Sequence, residues 1–227
     1  MTDPEIIYQD AALIVVNKPV DLPIHKNDHM PHDAPYLTKW IGQKLNATVW
    51  NVHRLDAKTS GIVVLAFNKN TAHALTQQFE KREVAKKYLA IVREFPGEEG
   101  TFDKPVKKNK KGKLVKALTH FKTLQTVQTN ITYRTFENIR LSLIELEPET
   151  GRWHQLRQHL ALERNDIIGD NQHGDRMLNH IIEDITGEKR LYLHASEISF
   201  THPESGELLS FEAEMPEEFG KLMGEFG

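Results

Sequence analysis

The stretch NVHRLDAKTSGIVVLAFNK, residues 51–69, sets one carboxylate, Asp56, between a His-Arg pair and a small-residue turn, directly ahead of an apolar run. The run from Gly61 to Phe67 is rich in branched residues and reads as a buried strand. Thr48 to Val52, just before the motif, reads as a short β-type run. Asp56 therefore falls in a strand-connecting loop, the part of a fold where functional groups are commonly presented. Two local roles account for such an Asp without any chemistry: capping a turn through Thr59 or Ser60, or pairing with Arg54.

Working outward, apolar runs at Ala12 to Val16, Tyr88 to Val92, Leu141 to Leu146 and Leu191 to Phe200 also read as strands. Helical patterns are local: TKWIGQKL from Thr38, NTAHALTQQFEKR from Asn70, RWHQLRQHLAL from Arg152 and PEEFGKLM from Pro216. Residues 117–126 pair naturally with 139–147, and 190–200 with 207–213, the latter through the hairpin-forming HPESGE. The segment GDNQHGDRMLNHIIEDITGEKR reads as a long ordered loop. The pattern predicts an α+β fold, a mixed, largely antiparallel central sheet flanked by helices and loops. No repeat or flexible linker divides it, so residues 1–227 are expected to form a single domain.

Composition narrows the chemistry. The chain has no cysteine, which excludes disulfides, thiolate metal sites and cysteine nucleophiles. No apolar run approaches the ~20 residues that span a bilayer, and the acidic start MTDPEIIYQD lacks a signal pattern, so a cytoplasmic protein is expected. The net charge of -3 is unevenly spread. Pro203 to Gly227 carries -6, leaving +3 on the remainder, and KPVKKNKKGKLVK, Lys104 to Lys116, holds seven lysines and no acid. Such a run either tracks a phosphate backbone or is a solvated loop.

A second feature bears on Asp56. In ETGRWHQLRQHLA, residues 149–161, a helix beginning near Arg152 would align Trp153, Leu156 and Leu160 as an apolar stripe and set Arg157 at its edge. A guanidinium there needs an acidic partner, and Asp56 is a natural candidate for a bidentate pair.

HRLD followed by TSG and an apolar strand, then KKYLAIV, TGRWHQLRQHLA and IIGD, in that order, resemble the motifs of the RluA-type pseudouridine synthases. The similarity runs from VVNKPVDLPIH (15–25) to LHASEISFTHP (193–203). It implies the pseudouridine synthase catalytic fold, as a single catalytic domain over residues 1–227 without a separate N-terminal RNA-binding module, and isomerisation of an RNA uridine to its C-glycoside with no cofactor and no metal. It also implies site roles: Asp56 as the catalytic carboxylate, Arg54 filling the space of the extruded base, Tyr88 against the target base, and Arg157 paired with Asp56. RNA contacts are expected from Arg54, Lys58, Lys86 and Lys87, and from Lys107, Lys108, Lys110 and Lys111 in the lysine run. The family usually has a basic residue directly after HRLD, whereas here Ala57 precedes Lys58, so one expected phosphate contact is either missing or moved by a residue.

In IIGDNQHGDRMLNH, His173-Gly174-Asp175 stands where ribosomal-RNA members usually carry Tyr-Gly, and the segment resembles tRNA-modifying members. The expected partner is thus tRNA, at position 65 of the acceptor stem, with ribosomal RNA as the alternative and a monomeric enzyme. A metallohydrolase built on the twelve histidines competes, but HExxH and HxH are absent, and His154 and His159 lie on different helix faces. A non-catalytic RNA-binding module, with Asp56 purely structural, is the third reading.

Overall fold

The structure is a computed structural model that describes residues 3–26 and 30–226. In chain order its strands and helices are β1 (Glu5–Gln9), β2 (Leu13–Lys18), α1 (Leu37–Leu45), β3 (Trp50–Asn51), β4 (Ser60–Ala66), α2 (Lys69–Lys81), β5 (Ala85–Arg93) and β6 (Glu99–Phe102). There follow β7 (Val106–Lys107), β8 (Leu114–Val115), β9 (Thr119–Gln128), β10 (Arg140–Pro148), α3 (Gln155–Leu162), α4 (Arg176–Thr186), β11 (Leu193–Thr201), β12 (Leu208–Glu212) and α5 (Glu217–Gly224). The architecture is α+β, with mixed, largely antiparallel sheet and helices packed on it. The chain divides into two compact units, Met1–Lys86 with Ala195–Ala213, and Lys87–His194 with Glu214–Gly227.

In the first unit β1 pairs β2, β2 pairs β4 and β3 pairs β4, all antiparallel, and β12 runs antiparallel to β11. Every residue of β4 is buried, which accounts for its unbroken apolar sequence. Leu13 and Val15 of β2 join Ile62, Val64 and Ala66 of β4 in one cluster, which Ala72 and Leu75 of α2 cover. Helix α2 starts where Asn68 accepts a hydrogen bond from the Thr71 amide at 2.8 Å, and it ends on Arg82 in the left-handed region.

The second unit is built on β5, β10, β9 and β6, each antiparallel to the next. Alternation sorts the side chains of β5 and β10 onto two faces. Ala90, Val92, Ile144 and Leu146 pack with Leu156 and Leu160 of α3, whereas Ile91, Leu141 and Leu143 pack with Leu178 and Ile182 of α4 and with Phe219, Leu222 and Met223 of α5. Tyr88, two residues before Ala90, packs on the α3 side.

Two expectations are corrected here. The segment read as a loop contains α4, whose first turn is capped by Asp175 (Oδ1 accepts from the amides of Met177 at 3.0 Å and Leu178 at 3.3 Å) and whose end is Gly187 at φ 71°. Helix α3 begins at Gln155, because His154 takes φ 47°, so Trp153 lies outside the helix and outside the apolar stripe.

Gly61, opposite Lys18 in the β2·β4 register, has φ 107°, and a Cβ there would stand 2.2 Å from the Ala195 carbonyl oxygen. Gly97 has a similar φ of 114° but open space around it. Backbone strain alone costs about 1–3 kcal/mol, and only Gly61 adds a backbone clash. Gly61→Ala is expected to lower the melting temperature by roughly 6–12 °C, at about 2–4 °C per kcal/mol, and Gly97→Ala by clearly less. Equal losses in a thermal melt would refute the close approach at Gly61.

Candidate active site

The loop carrying Asp56 is anchored residue by residue. Val52 and Leu55 point into the core, Arg54 is exposed and Asp56 is half-buried. His53 is stacked on Phe79 with ring centres 4.7 Å apart, and its Nε2 accepts the Val64 amide at 2.9 Å. Desolvation, reinforced by the Lys86 charge, pushes the imidazole down to about 3, so this His is a neutral acceptor that pins the loop to β4. The turn closes with the Thr59 amide donating to the Asp56 carbonyl at 3.1 Å, and Thr59 and Ser60 are buried.

Beside this turn lies a residue that sequence reasoning quoted but gave no role. Lys18, at the end of β2, is fully buried, and its Nζ donates to the carbonyls of Pro19 at 2.9 Å and Ala57 at 3.1 Å. Burial pushes the ammonium down to about 7, against the opposing pull of the Asp21 and Asp56 carboxylates. A buried amine tethered to the residue after Asp56 fixes the turn and supplies positive charge near the carboxylate. Its sequence signal was the lysine in VVNKPVDLPIH, a polar residue closing an apolar strand.

Exposed Lys58 pairs with Asp21 at 2.6 Å, and half-buried Lys86 lies over the Phe79 ring at 5.9 Å. Burial lowers the Lys86 pKa.

The second unit brings Tyr88 and Arg157 to the same face of its sheet, since Tyr88 packs on the cluster to which α3 contributes Leu156 and Leu160. Arg157 is buried and forms a bidentate pair, Nε to Asp170 Oδ2 at 2.7 Å and Nη2 to Oδ1 at 2.8 Å. Asp170 also accepts the amides of Gln172 at 2.9 Å and His173 at 3.0 Å. Although burial pushes its carboxyl up, the hydrogen bonds and charge of Arg157 and these amides hold it below the usual carboxylate range. Sequence reasoning sought an acid for Arg157 and missed Asp170, although the residue stands in the quoted IIGD. Gly169 makes this loop possible, because at φ 80° a Cβ would lie 1.7 Å from the Arg190 carbonyl oxygen.

Lys87 pairs with Glu145 at 3.6 Å. The lysine run is an ordered β7–β8 hairpin with Lys107, Lys108, Lys110 and Lys111 all exposed. Gln158 of α3 holds its base, accepting the Lys107 amide at 2.9 Å and donating to the Lys107 carbonyl at 3.2 Å. Among the described residues no group of three His, Cys, Asp or Glu side chains is placed to hold a metal ion, and no helix is long and apolar enough to cross a membrane.

A family model described as RNA pseudouridylate synthase matches residues 12–162, a span that includes Asp56, Tyr88 and Arg157. The chain belongs to this family. Proteins named tRNA pseudouridine synthase C from Yersinia pestis and Vibrio cholerae are 36% and 35% identical to it over 98% of this chain and over 91% and 96% of their own lengths. Of solved structures, human RNA pseudouridylate synthase domain containing 4 superimposes with a TM-score of 0.73 at 27% identity, covering 98% of this chain and 92% of that one. Human RNA pseudouridylate synthase domain containing 1 gives 0.75 at 24% identity, covering 93% and 83%. As a pseudouridine synthase the protein is an isomerase acting on RNA.

For this pseudouridine synthase the titration of Lys18 is a direct readout of the site. Below pH about 7 both folded and unfolded chains hold the proton; between about 7 and the ordinary 10.5 only the unfolded chain does. Stability then rises with pH across that window. The stability of wild type relative to Lys18→Met should therefore climb as pH is raised from 7 toward 10.5 in urea unfolding. A difference that stays flat across the window would show that Lys18 titrates normally.

Proposed function

We propose that this pseudouridine synthase modifies tRNA, at uridine 65 of the acceptor stem, with Asp56 as its catalytic carboxylate. The observation that carries the substrate is the near full-length similarity to proteins named tRNA pseudouridine synthase C. The observation that favours Asp56 is its place in a loop held from below by Lys18 and His53. Both units are read as one catalytic domain over residues 1–227, working as a monomer in the cytoplasm.

The reaction is redox-neutral. The bond from C1′ to N1 breaks, the uracil turns, a bond from C1′ to C5 forms, C5 loses its proton and N1 ends protonated. No oxidant, cofactor or metal is required by this balance. A glycosidic bond inside a helical stack is out of reach, so the base must first be extruded into a pocket. In this reading exposed Arg54 takes the space the base vacates, Tyr88 lies against the flipped base and Arg157 is the counter-charge that aims Asp56. Lys58, Lys86 and Lys87 contribute positive charge around the site, and the hairpin lysines track the phosphate backbone.

Mapping pseudouridines in total RNA from cells with and without the gene tests the substrate. Loss of a single tRNA position is expected, and loss at a ribosomal position would overturn the tRNA reading. Asp56→Asn keeps the shape of the side chain while removing its charge, so it should fold, bind RNA and make no pseudouridine; turnover above a no-enzyme control would remove Asp56 from the mechanism.

The hairpin is tested by salt. Each phosphate neutralised adds about 0.7–0.9 to the slope of log affinity against log salt. A variant with glutamine at Lys107, Lys108, Lys110 and Lys111 should show a shallower slope than wild type in an RNA titration. Identical slopes would make the hairpin a solvated surface and leave the RNA to Arg54, Lys58, Lys86 and Lys87.

A further inference from the structure

The helical pattern of residues 152–162 places Trp153 in the apolar stripe with Leu156 and Leu160, yet the structure takes it out. The left-handed backbone at His154, φ 47° and ψ 34°, ends the helix before Trp153 and turns the indole away from the core that Leu156 and Leu160 enter. A non-glycine residue in this region is strained, and such strain collects at functional positions. The arrangement also leaves half-buried a side chain large enough to dominate a core, between exposed Arg152 and the α3 terminus.

What the indole meets is a rigid stack. Its ring lies on the His154 imidazole, centres 4.0 Å apart and planes 20° apart, with His173 edge-on at 5.8 Å. His154 Nδ1 and His173 Nε2 are 2.9 Å apart, so one donates to the other, and His154 Nε2 lies 3.4 Å from Arg157 Nη1. The His173 amide donates to Asp170. The Trp153 carbonyl accepts Gln158 Nε2 at 2.6 Å, which fixes the backbone beneath the ring. The aromatic row is thereby tied to the Arg157–Asp170 pair.

We propose that Trp153 is a stacking platform for an RNA base, with His154 and His173 as the positioning residues that hold it. An aromatic plane fixed in advance loses little freedom on binding, and base stacking on such a ring is sequence-tolerant. The flanking cations suit a polyanion: Arg152 is exposed, and its Nε approaches the Lys116 carbonyl at 3.4 Å, at the end of the lysine run. The platform stands at the N-terminus of the helix that carries Arg157, so a base stacked there is placed by the same element that serves the reaction. The proposal rests on RNA being the substrate, and it is independent of which RNA that is.

The test uses the small-RNA and large-RNA fractions of total RNA from cells lacking the gene, with wild type, Trp153→Phe and Trp153→Ala. Retention of labelled RNA on filters reports binding, and tryptophan emission is followed in the same titration. Wild type should lose emission in step with retention, and this loss should vanish in Trp153→Phe, where only Trp40 and Trp50 remain. Trp153→Ala should raise KM roughly tenfold, with the loss falling on KM more than on kcat, and Trp153→Phe should recover most of it. Retention that saturates with Trp153 emission unchanged, or a KM indifferent to Trp153→Ala, overturns the proposal. So does failure of both fractions to be retained at low salt. Binding and turnover of the large fraction alone would remove the tRNA reading while the emission change still decides the platform.

Discussion

The buried pair of Arg157 and Asp170 is the constraint on which the second unit's site depends. Taking a guanidinium and a carboxylate out of water costs several kcal/mol per ion, and only full satisfaction of both groups offsets it. Here the fork of Arg157 meets both oxygens of Asp170, and two loop amides complete the carboxylate. Removing either partner would leave an uncompensated buried charge, a loss of about 3–5 kcal/mol. The pair therefore locks α3 to the loop before α4. That loop carries His173, and through it the lock extends to His154 and Trp153.

In the first unit a different device holds the carboxylate loop. Lys18 could hold the turn as a hydrogen-bond donor alone, but its burial also lowers its affinity for a proton and leaves it near neutrality. Its charge is then maintained chiefly by the carboxylates around it, Asp21 and Asp56. The His53 imidazole works the other way: desolvated and facing a cation, it stays neutral and serves as an acceptor for β4. Thus a neutral ring and a buried amine, both earlier in the chain than Asp56, hold the loop that carries it.

What could be read from the sequence follows the strength of each local signal. Strand β4 was legible because burial on both faces demands an apolar run, β5, β10 and β11 because each carries a cluster of buried apolar residues, and the hairpin at HPESGE because turn residues are specific. Helix α4 was hidden by its polar flanks, although Asp175 as N-cap, Leu178 with Ile182, and Gly187 as terminator mark it in retrospect. Strands β1, β6, β7 and β8 lacked a signal of their own: short, and half-buried in β1 or largely exposed in the others, they owe their conformation to neighbours. The candidate residues Asp56, Tyr88 and Arg157 were picked out by ordered motifs. Lys18 and Asp170 were not, because a burial that depends on tertiary contacts leaves no periodicity.

Helix α3 shows why periodicity misplaced Trp153. Residues Gln155 to Leu160 are all buried, so this helix has no polar face in the usual sense. Its polar side chains are each consumed by partners in different directions. Gln155 reaches Thr150 and Leu118, Arg157 takes Asp170, Gln158 grips Lys107 and Trp153, and His159 bridges Thr119 and Lys104. A fully satisfied polar network of this kind specifies one arrangement where an apolar stripe would tolerate several. The consequence is mechanical. The lysine hairpin, the Trp153 stack and the Arg157 guanidinium are fastened to a single short helix, so a force on the hairpin or the stack is delivered to the residue that pairs with Asp170.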